Sequence, residues 1–186
     1  MFSIRSELRK KLLRYFFTNP PAELYVRELA RVLDVDPTNL SKELKRLSSD
    51  GLFVASKRGN QTYYRLNREY PLYEETRSVV AKTFGVADAL MHALKRVPGI
   101  DQALLYGSFA RGDEDAASDI DILIVGEPAA ERLAMAMQKL EQALGRTIHY
   151  VVMSAVELRR RTDSSDAFIS DVLRNPRVEL LAHEAA

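Results

Sequence analysis

The sequence of 186 residues contains no cysteine, so it can form neither a disulfide framework nor a thiolate metal site. It also lacks the run of about 20 apolar residues that a membrane-spanning helix requires. Charged residues occur from Arg5 and Glu7 onward, which argues against a secretory signal peptide. These absences predict a soluble cytoplasmic protein that does not associate with membranes.

Net charge is small overall but unevenly distributed. The whole chain carries +1, and 46% of its residues are hydrophobic and 28% charged, which is typical of globular proteins. Residues 1–70 hold 14 Lys and Arg against 8 Asp and Glu, a net charge of +6, whereas the remainder carries −5. A basic first third favours phosphate binding, because Lys and Arg contacts release the counterions condensed on nucleic acid.

The basic third is predicted to form three helices and a β-hairpin. Apolar residues at helical spacing indicate helices over about 3–17, 26–33 and 37–50. The first ends before Pro20 and Pro21, and Asp36 followed by Pro37 is a start signal for the third. Two β-prone runs, 52–56 and 61–66, flank a turn at 57–60 that contains Gly59, which indicates a hairpin.

This arrangement resembles a winged helix-turn-helix domain of the arsenic-repressor-like group over about residues 3–67. The run from Leu44 to Leu52 matches the group's phrase L-x-R-L-x-x-x-G-L. The resemblance implies that the third helix enters the major groove of double-stranded DNA and that the hairpin, the wing, contacts its backbone or minor groove. The alternative is a solvated basic surface. The predicted DNA-binding residues are Thr38, Asn39, Ser41, Lys42, Lys45, Arg46, Lys57, Arg58 and Asn60.

A second pattern joins a Gly-Ser turn to two downstream carboxylates. Gly107 and Ser108 follow an apolar run, and Asp119 and Asp121 stand two residues apart at the start of another. Alternate residues of a strand share a face, so both carboxylates are expected to project to the same side. Mg²⁺ typically takes one or two carboxylates and completes its shell with water and substrate phosphates. The spacing therefore predicts a site for nucleotidyl transfer.

The pattern resembles the DNA-polymerase-beta-like nucleotidyltransferase superfamily, and most of all its minimal prokaryotic members, over about residues 100–181. The resemblance implies an α/β domain with a mixed sheet that uses Mg or Mn with a nucleoside triphosphate. It implies Asp119 and Asp121 as catalytic metal ligands, and Gly107 and Ser108 as nucleotide-binding residues. Arg111 is a further nucleotide-binding candidate, because a guanidinium can bind the oxygens of a triphosphate; the alternative is that it pairs with a carboxylate. Because such minimal enzymes are often encoded beside a small toxin gene, the resemblance also implies a candidate toxin partner.

One position departs from the superfamily pattern. The third carboxylate of these enzymes lies on a neighbouring strand, and the aligned residue here is His149. Imidazole suits Mg²⁺ less well than a carboxylate does, although it can accept a proton near neutral pH. His149 is therefore either a substitute for the third carboxylate or a strand residue without chemistry.

The predicted organisation has two domains and a connector. A winged helix-turn-helix, mostly α with a β-hairpin wing, spans 1–70, a helical connector spans 71–98, and a nucleotidyltransferase-like α/β domain spans 99–186. The connector is either a homodimer interface or a plain strut, since Val79, Val80 and Phe84 have no evident partner in either domain.

The leading functional hypothesis is a DNA-binding transcriptional regulator. Its C-terminal domain would bind or sense a nucleotide with impaired catalysis. The alternative is an active Mg-dependent nucleotidyltransferase that moves a nucleoside monophosphate from the triphosphate to a hydroxyl of a protein, an RNA or a small molecule. A third hypothesis is an antitoxin-type partner in a two-gene pair.

Overall fold

The structure is a computed structural model that describes residues 6–115 and 117–182. It divides into two compact units, one over Met1–Val86 with Gln142–Gly145 and one over Ala87–Glu141 with Arg146–Ala186. The predicted start of the first helix at residue 3 lies outside the described residues. Within the described ranges, no helix is both long and apolar enough to cross a membrane.

The described part of the first unit contains four helices and three strands. The helices are α1 (Glu7–Thr18), α2 (Val26–Leu33), α3 (Pro37–Ser49) and α4 (Tyr73–Phe84), and the strands are β1 (Leu24–Tyr25), β2 (Phe53–Arg58) and β3 (Gln61–Leu66). The strands form an antiparallel sheet in the order β1-β3-β2. Helix α2 has the predicted bounds, whereas the two-residue strand β1 carries no sequence signal.

Local chemistry explains where α3 and the hairpin begin and end. The Asp36 side chain accepts a hydrogen bond from the main-chain N–H of Asn39 at 2.8 Å, and Pro37 occupies the first turn, where its missing N–H leaves no bond unmade. Between β2 and β3 only Gly59 and Asn60 remain, and Gly59 has a φ of +58°. Two-residue hairpin turns favour positive φ, which glycine adopts without strain. Lys57 and Arg58 therefore belong to β2 rather than to the turn.

The core of the first unit includes α4, which the sequence assigns to a connector. Val80 is 2% exposed and Phe84 is 5% exposed, and both belong to the cluster built from α1, α2, α3 and the sheet. The main-chain carbonyl of Phe84 also accepts a hydrogen bond from Arg14 Nε. These two side chains thus have partners within the unit, while Val79 stays 43% exposed.

One basic residue of α1 is buried. Arg9 is only 3% exposed and forms an ion pair with Glu43 of α3. A buried charge requires such a partner, because the low dielectric of the interior penalises an uncompensated ion. Part of the positive charge of the first unit is therefore internal and does not contribute to its surface.

The second unit is built on a four-stranded mixed sheet. Its strands are β4 (Ile100–Tyr106), β5 (Ile120–Gly126), β6 (Ile148–Met153) and β7 (Val178–Leu181); its helices are α5 (Val86–Leu94), α6 (Ser108–Arg111), α7 (Ala130–Leu144), α8 (Ala155–Asp163) and α9 (Ala167–Arg174). The strand order is β6-β5-β4-β7. Strands β5 and β6 are parallel and the other pairs antiparallel, so the predicted mixed sheet is confirmed.

The two faces of β5 have different surroundings. Ile120, Ile122 and Ile124 are fully buried on one face, while Leu123 and Val125 on the other face join a cluster with residues of α8 and α9. Asp121 lies on this second face, because side chains alternate along a strand. Side-chain caps begin both α8 and α9. The Ser154 hydroxyl accepts from Glu157 N at 3.1 Å, and the Asp166 carboxylate accepts from Ile169 N at 3.0 Å.

Candidate active site

Strand register brings Asp121 and His149, which the sequence connects with the site, next to each other and to the end of β4. Tyr106, the last residue of β4, is paired with Asp121. Asp121 is in turn paired with His149 on the parallel strand β6. The end of β4 and the starts of β5 and β6 therefore meet at one edge of the sheet, where the Gly-Ser turn leaves β4.

Asp119 lies just before β5 and completes a cluster of three titratable groups. Its Oδ2 is 3.4 Å from His149 Nε2, and both side chains are largely exposed. Asp121 is less accessible than either of them. The structure thus brings His149 to the carboxylate pair.

Gly107 has a backbone conformation that brings the turn onto Asp121. Its φ is +72°, and a Cβ built on it would lie 3.3 Å from Asp121 Cγ and closer still to Oδ2. Only glycine lets the main chain approach a carboxylate this closely. Ser108 follows directly and begins the single turn of α6.

The electrostatics of Asp121 reflect its position between the sheet and solvent. Partial burial raises the pKa of Asp121, and the Asp119 carboxylate raises it further, whereas His149 and Arg111 oppose the shift. Burial and then the Asp121 carboxylate raise the pKa of Tyr106 as well. A site that concentrates negative charge in this way favours a bound cation.

The loop before Asp119 is held by Arg146, a residue for which the sequence analysis predicted no role. Arg146 is 8% exposed, and its Nη1 donates to the main-chain carbonyl of Ser118 at 3.2 Å. The Ser118 hydroxyl in turn donates to Asp115 Oδ1 at 2.9 Å.

A cavity of about 370 Å³ opens between the Gly-Ser turn and α9. Its walls include Ser108, Arg111 and Asp121, which are among the predicted site residues. Its lining also includes Asp171 of α9 and Asn175, the residue that caps the end of this helix, and no sequence pattern connected either with the site. Arg111 is exposed and its Nε forms a 3.0 Å ion pair with Asp113 Oδ2.

The residues fit a hard divalent cation such as Mg²⁺ or Mn²⁺. Across residues 6–115 and 117–182, no three Asp, Glu or His side chains form a ready-made cation cage. A site with two carboxylates is nevertheless what Mg²⁺ uses when substrate phosphates and water supply its other ligands. Asp119 and Asp121 are the residues that would hold it.

The predicted DNA-binding residues lie in α3 and in the β2–β3 hairpin of the first unit. Leu40, Leu44 and Leu47 bury one face of α3 completely, and the opposite face is polar and mostly exposed. Ser41 is half-buried, and the exposed members are Thr38, Asn39, Lys42, Lys45, Arg46, Lys57, Arg58 and Asn60.

The predicted DNA-binding Lys and Arg residues differ in whether they form ion pairs. Arg58 is bound to Glu23 at 2.5 Å and lies 4.9 Å from the centre of the Tyr63 ring. Lys42, Lys45, Arg46 and Lys57 form no ion pair within the part of the chain that the structure describes. These four charges are therefore available to an external anion.

Comparison with known proteins found a family match in the second half of the chain. Residues 89–171 match the family model of the nucleotidyltransferase domain. This segment is therefore similar to nucleotidyltransferase domains. It contains the Gly-Ser turn, both carboxylates, His149 and Asp171. None of the curated proteins matches the chain.

Three solved structures resemble parts of the chain. A toxin–antitoxin structure with AMP-PNP is 21% identical over 53% of this chain and 74% of its own, with a TM-score of 0.39. A mutant of the toxin–antitoxin pair MntA–HpeT is 17% identical over the same shares, also with a TM-score of 0.39. A candidate nucleotidyltransferase from Sulfolobus solfataricus is 27% identical over 40% of this chain and 68% of its own, with a TM-score of 0.26.

Proposed function

We propose that the nucleotidyltransferase domain binds a metal–nucleoside triphosphate at Asp119 and Asp121 and transfers its nucleoside monophosphate to an acceptor hydroxyl. The observation that carries the proposal is the contact of Gly107 with Asp121. It places a Gly-Ser turn and a carboxylate pair at one edge of the sheet, beside the cavity. The match of this segment to the nucleotidyltransferase family adds support.

The reaction is a displacement at the α-phosphorus. The acceptor oxygen bonds to the α-phosphorus, the bond to the bridging oxygen of pyrophosphate breaks, and the hydroxyl proton is released to solvent. A bound divalent cation would neutralise the phosphate charge that builds up. Arg111 and the Ser108 hydroxyl would bind phosphate oxygens, and His149 occupies the place of the third carboxylate.

Transfer of label from α-labelled nucleoside triphosphates tests this function. The purified chain is incubated with each of the four labelled triphosphates and Mg²⁺ or Mn²⁺, in the presence of cell extract as a source of acceptors. We expect labelled product with the unaltered chain and none with Asp121→Asn. The matched control is Asp101→Asn, the same change at an exposed position of β4, which should retain transfer. Equal labelling by the Asp121→Asn variant, or no labelling by any chain, would contradict the proposal.

A second candidate function is binding of double-stranded DNA by the first unit, as a winged helix-turn-helix module. The specific observation that favours it is the exposed face of α3, where Lys42, Lys45 and Arg46 have no ion-pair partner among the described residues. The basic end of β2 adds Lys57 to the same set. Unpaired cations on one helix face suit the phosphate backbone, and Asn39 suits an adenine edge.

Fluorescence anisotropy with duplex DNA over a salt series tests the second candidate. The duplex is taken from the region upstream of the chain's own coding sequence. Lys42→Ala and Arg46→Ala should each weaken binding and reduce the salt slope by about one unit per lost phosphate contact. The control Lys82→Ala removes an exposed charge from α4 and should change neither the affinity for DNA nor its salt dependence. An unaltered chain without salt-dependent affinity would exclude this function.

Regulation of transcription, homodimerisation and a toxin partner remain predictions. Each needs an observation beyond the fold: a change in promoter activity, a dimer in sedimentation equilibrium, or co-purification with the product of a neighbouring gene. Nucleotide sensing without catalysis would be indicated if nucleotide binding is retained while transfer is absent.

A further inference from the structure

The cavity beside Asp121 has two walls of different chemistry. One wall comes from the Gly-Ser turn and carries the Ser108 hydroxyl and the Arg111 guanidinium. The other comes from α9 and carries Asp171, Val172 and Asn175. At about 370 Å³ the cavity falls within the range of roughly 300–1,000 Å³ that small-molecule sites occupy.

The α9 wall is held in place by packing. Val172 and Ile169 are each 1% exposed and lie in the core cluster of the sheet. Phe168 meets Tyr106 edge to face, with ring centroids 5.8 Å apart. Tyr106 is the residue that precedes the Gly-Ser turn, so the two walls are joined through this aromatic pair. Side chains on a packed helix keep a defined position relative to the turn.

Hydrogen bonding within α9 determines what this wall can offer a ligand. The Asn175 amide nitrogen donates to Asp171 Oδ1 at 2.7 Å and to the main-chain carbonyl of Asp171 at 3.0 Å. Both amide N–H groups are therefore directed at Asp171. The atoms left over are Asn175 Oδ1 and Asp171 Oδ2, and both accept hydrogen bonds without donating any.

The two walls therefore bind different parts of a ligand: one binds hydrogen-bond acceptors and the other binds hydrogen-bond donors. Phosphate oxygens only accept hydrogen bonds, so they match Arg111 and Ser108 and are repelled by the Asp171 carboxylate. The nucleoside half of a nucleotide carries donors, namely the ribose hydroxyls and the exocyclic amino group of a base. The geometry thus orients a nucleotide with its phosphates toward Ser108 and its donors toward α9.

We propose that Asp171 and Asn175 form a specificity site that accepts a hydrogen bond from a donor on the nucleoside, either a ribose hydroxyl or an exocyclic amino group. This inference rests on the proposed function, because it assumes that the cavity binds a nucleotide. It assigns a role to two residues that lie some fifty residues beyond the carboxylate pair. Asp171 is the acceptor, and Asn175 positions its carboxylate.

Equilibrium binding in the presence of Mg²⁺ tests the inference without relying on turnover. Four probes are compared by calorimetry: adenosine triphosphate, its 2′,3′-dideoxy analogue, inosine triphosphate and inorganic tripolyphosphate. Asp171→Ala should weaken the binding of adenosine triphosphate by about tenfold, the effect of losing one hydrogen bond to a charged group. The affinity for tripolyphosphate should stay the same or increase. The control Asp163→Ala removes an exposed carboxylate at the end of α8 and should change the affinity for neither adenosine triphosphate nor tripolyphosphate.

The two analogues identify the donor. If a ribose hydroxyl is the donor, the dideoxy analogue binds the unaltered chain and the Asp171→Ala variant with equal affinity. If the amino group is the donor, inosine triphosphate binds these two chains with equal affinity. Asn175→Ala should reproduce the same selectivity with a smaller loss, since it frees the Asp171 carboxylate without removing it.

Other outcomes overturn the inference. Equal weakening of tripolyphosphate and adenosine triphosphate would mean that Asp171 supports the whole site rather than nucleoside recognition. Unchanged affinity for adenosine triphosphate, or equal weakening of all three nucleotides, would also exclude a donor of the stated kind. If the unaltered chain binds none of the probes, both the proposed function and the inference fail. The outcomes above, in which the unaltered chain binds nucleotide, overturn the inference alone.

Discussion

Gly107 lies against the carboxylate of Asp121 with no room for a side chain between them. The residue also has a φ of +72° and a ψ of −153°, a conformation that is essentially restricted to glycine and costs other residues about 1–3 kcal/mol. Two independent constraints therefore require glycine here. One is the local turn, and the other is the approach of the turn to the carboxylate.

Gly107→Ala should abolish nucleotide binding while leaving most of the chain folded. The added methyl group would displace Asp121, whose Cγ would lie 3.3 Å from it. The matched control is Gly112→Ala, since Gly112 has a similar φ of +78° and nothing within 4 Å of its built Cβ. Thermal melting should show a larger loss of stability for Gly107→Ala than for Gly112→Ala, because Gly107 has a ψ of −153° and Gly112 a left-handed ψ of 20°, and calorimetric titration should show a loss of binding for Gly107→Ala alone. Equal binding by the two variants would contradict the role of the contact.

Asp121→Asn should raise the free energy of unfolding near neutral pH. The pKa of Asp121 is raised above its ordinary value of 3.8, mainly by burial, so the folded chain holds this proton more tightly than the unfolded chain does. Stability therefore falls as pH rises from below 3.8 through the raised pKa, and the penalty persists at neutral pH. Asparagine cannot ionise, so the variant does not carry the cost of a partly buried carboxylate. Urea unfolding should show the gain at neutral pH and its disappearance below pH 3.8, and a variant that is less stable at neutral pH would disprove the assignment.

His149→Asp should increase nucleotidyl transfer with Mg²⁺. It adds a carboxylate next to Asp121, with which His149 is paired across β5 and β6. We expect a gain of at least about tenfold, a conservative part of the ~100-fold that a positioned proton acceptor typically contributes. His149→Asn changes the size of the side chain in the same way without the charge and should give no gain. If the aspartate variant turns over no faster than the asparagine variant, His149 does not limit the reaction.

Arg9→Met should destabilise the first unit by about 3 kcal/mol, because it leaves Glu43 as a largely buried and unpaired charge. The two side chains are only 4% and 15% exposed. Lys10→Met is the control: it breaks an exposed pair with Glu7, which is worth less than about 1 kcal/mol. Urea unfolding measures both. The double variant Arg9→Met with Glu43→Leu should recover most of the loss, and a failure to do so would indicate that Arg9 acts through other contacts.

Much of the local structure could be predicted because its causes are local. Asp36 with Pro37, Ser154 with Glu157, and Asp166 each mark a helix start within a few residues of sequence, and each cap is present in the structure. The alternation that separates Asp121 from its buried isoleucine neighbours is likewise a property of a single strand.

Arg9 and Asp171 show why other features escaped prediction. In the sequence, Arg9 is indistinguishable from Lys10, because both lie among charged residues of one helix. Its burial depends on Glu43, 34 residues away. Asp171 reaches the cavity only because α9 packs on the sheet beside Tyr106. Neither relationship leaves a periodic signal.

The sequence by itself determined most of the helices and strands of the first unit, the two-part charge distribution, and the residue types of a Gly-Ser and Asp-x-Asp site. These follow from side-chain period, capping and turn chemistry, which act over a few residues. Only the tertiary structure decided that Arg9 is internal, that α4 belongs to the first core, and that α9 forms the second wall of the cavity. These depend on packing and strand register between distant segments, where the free energy of burial rather than local propensity selects the partner.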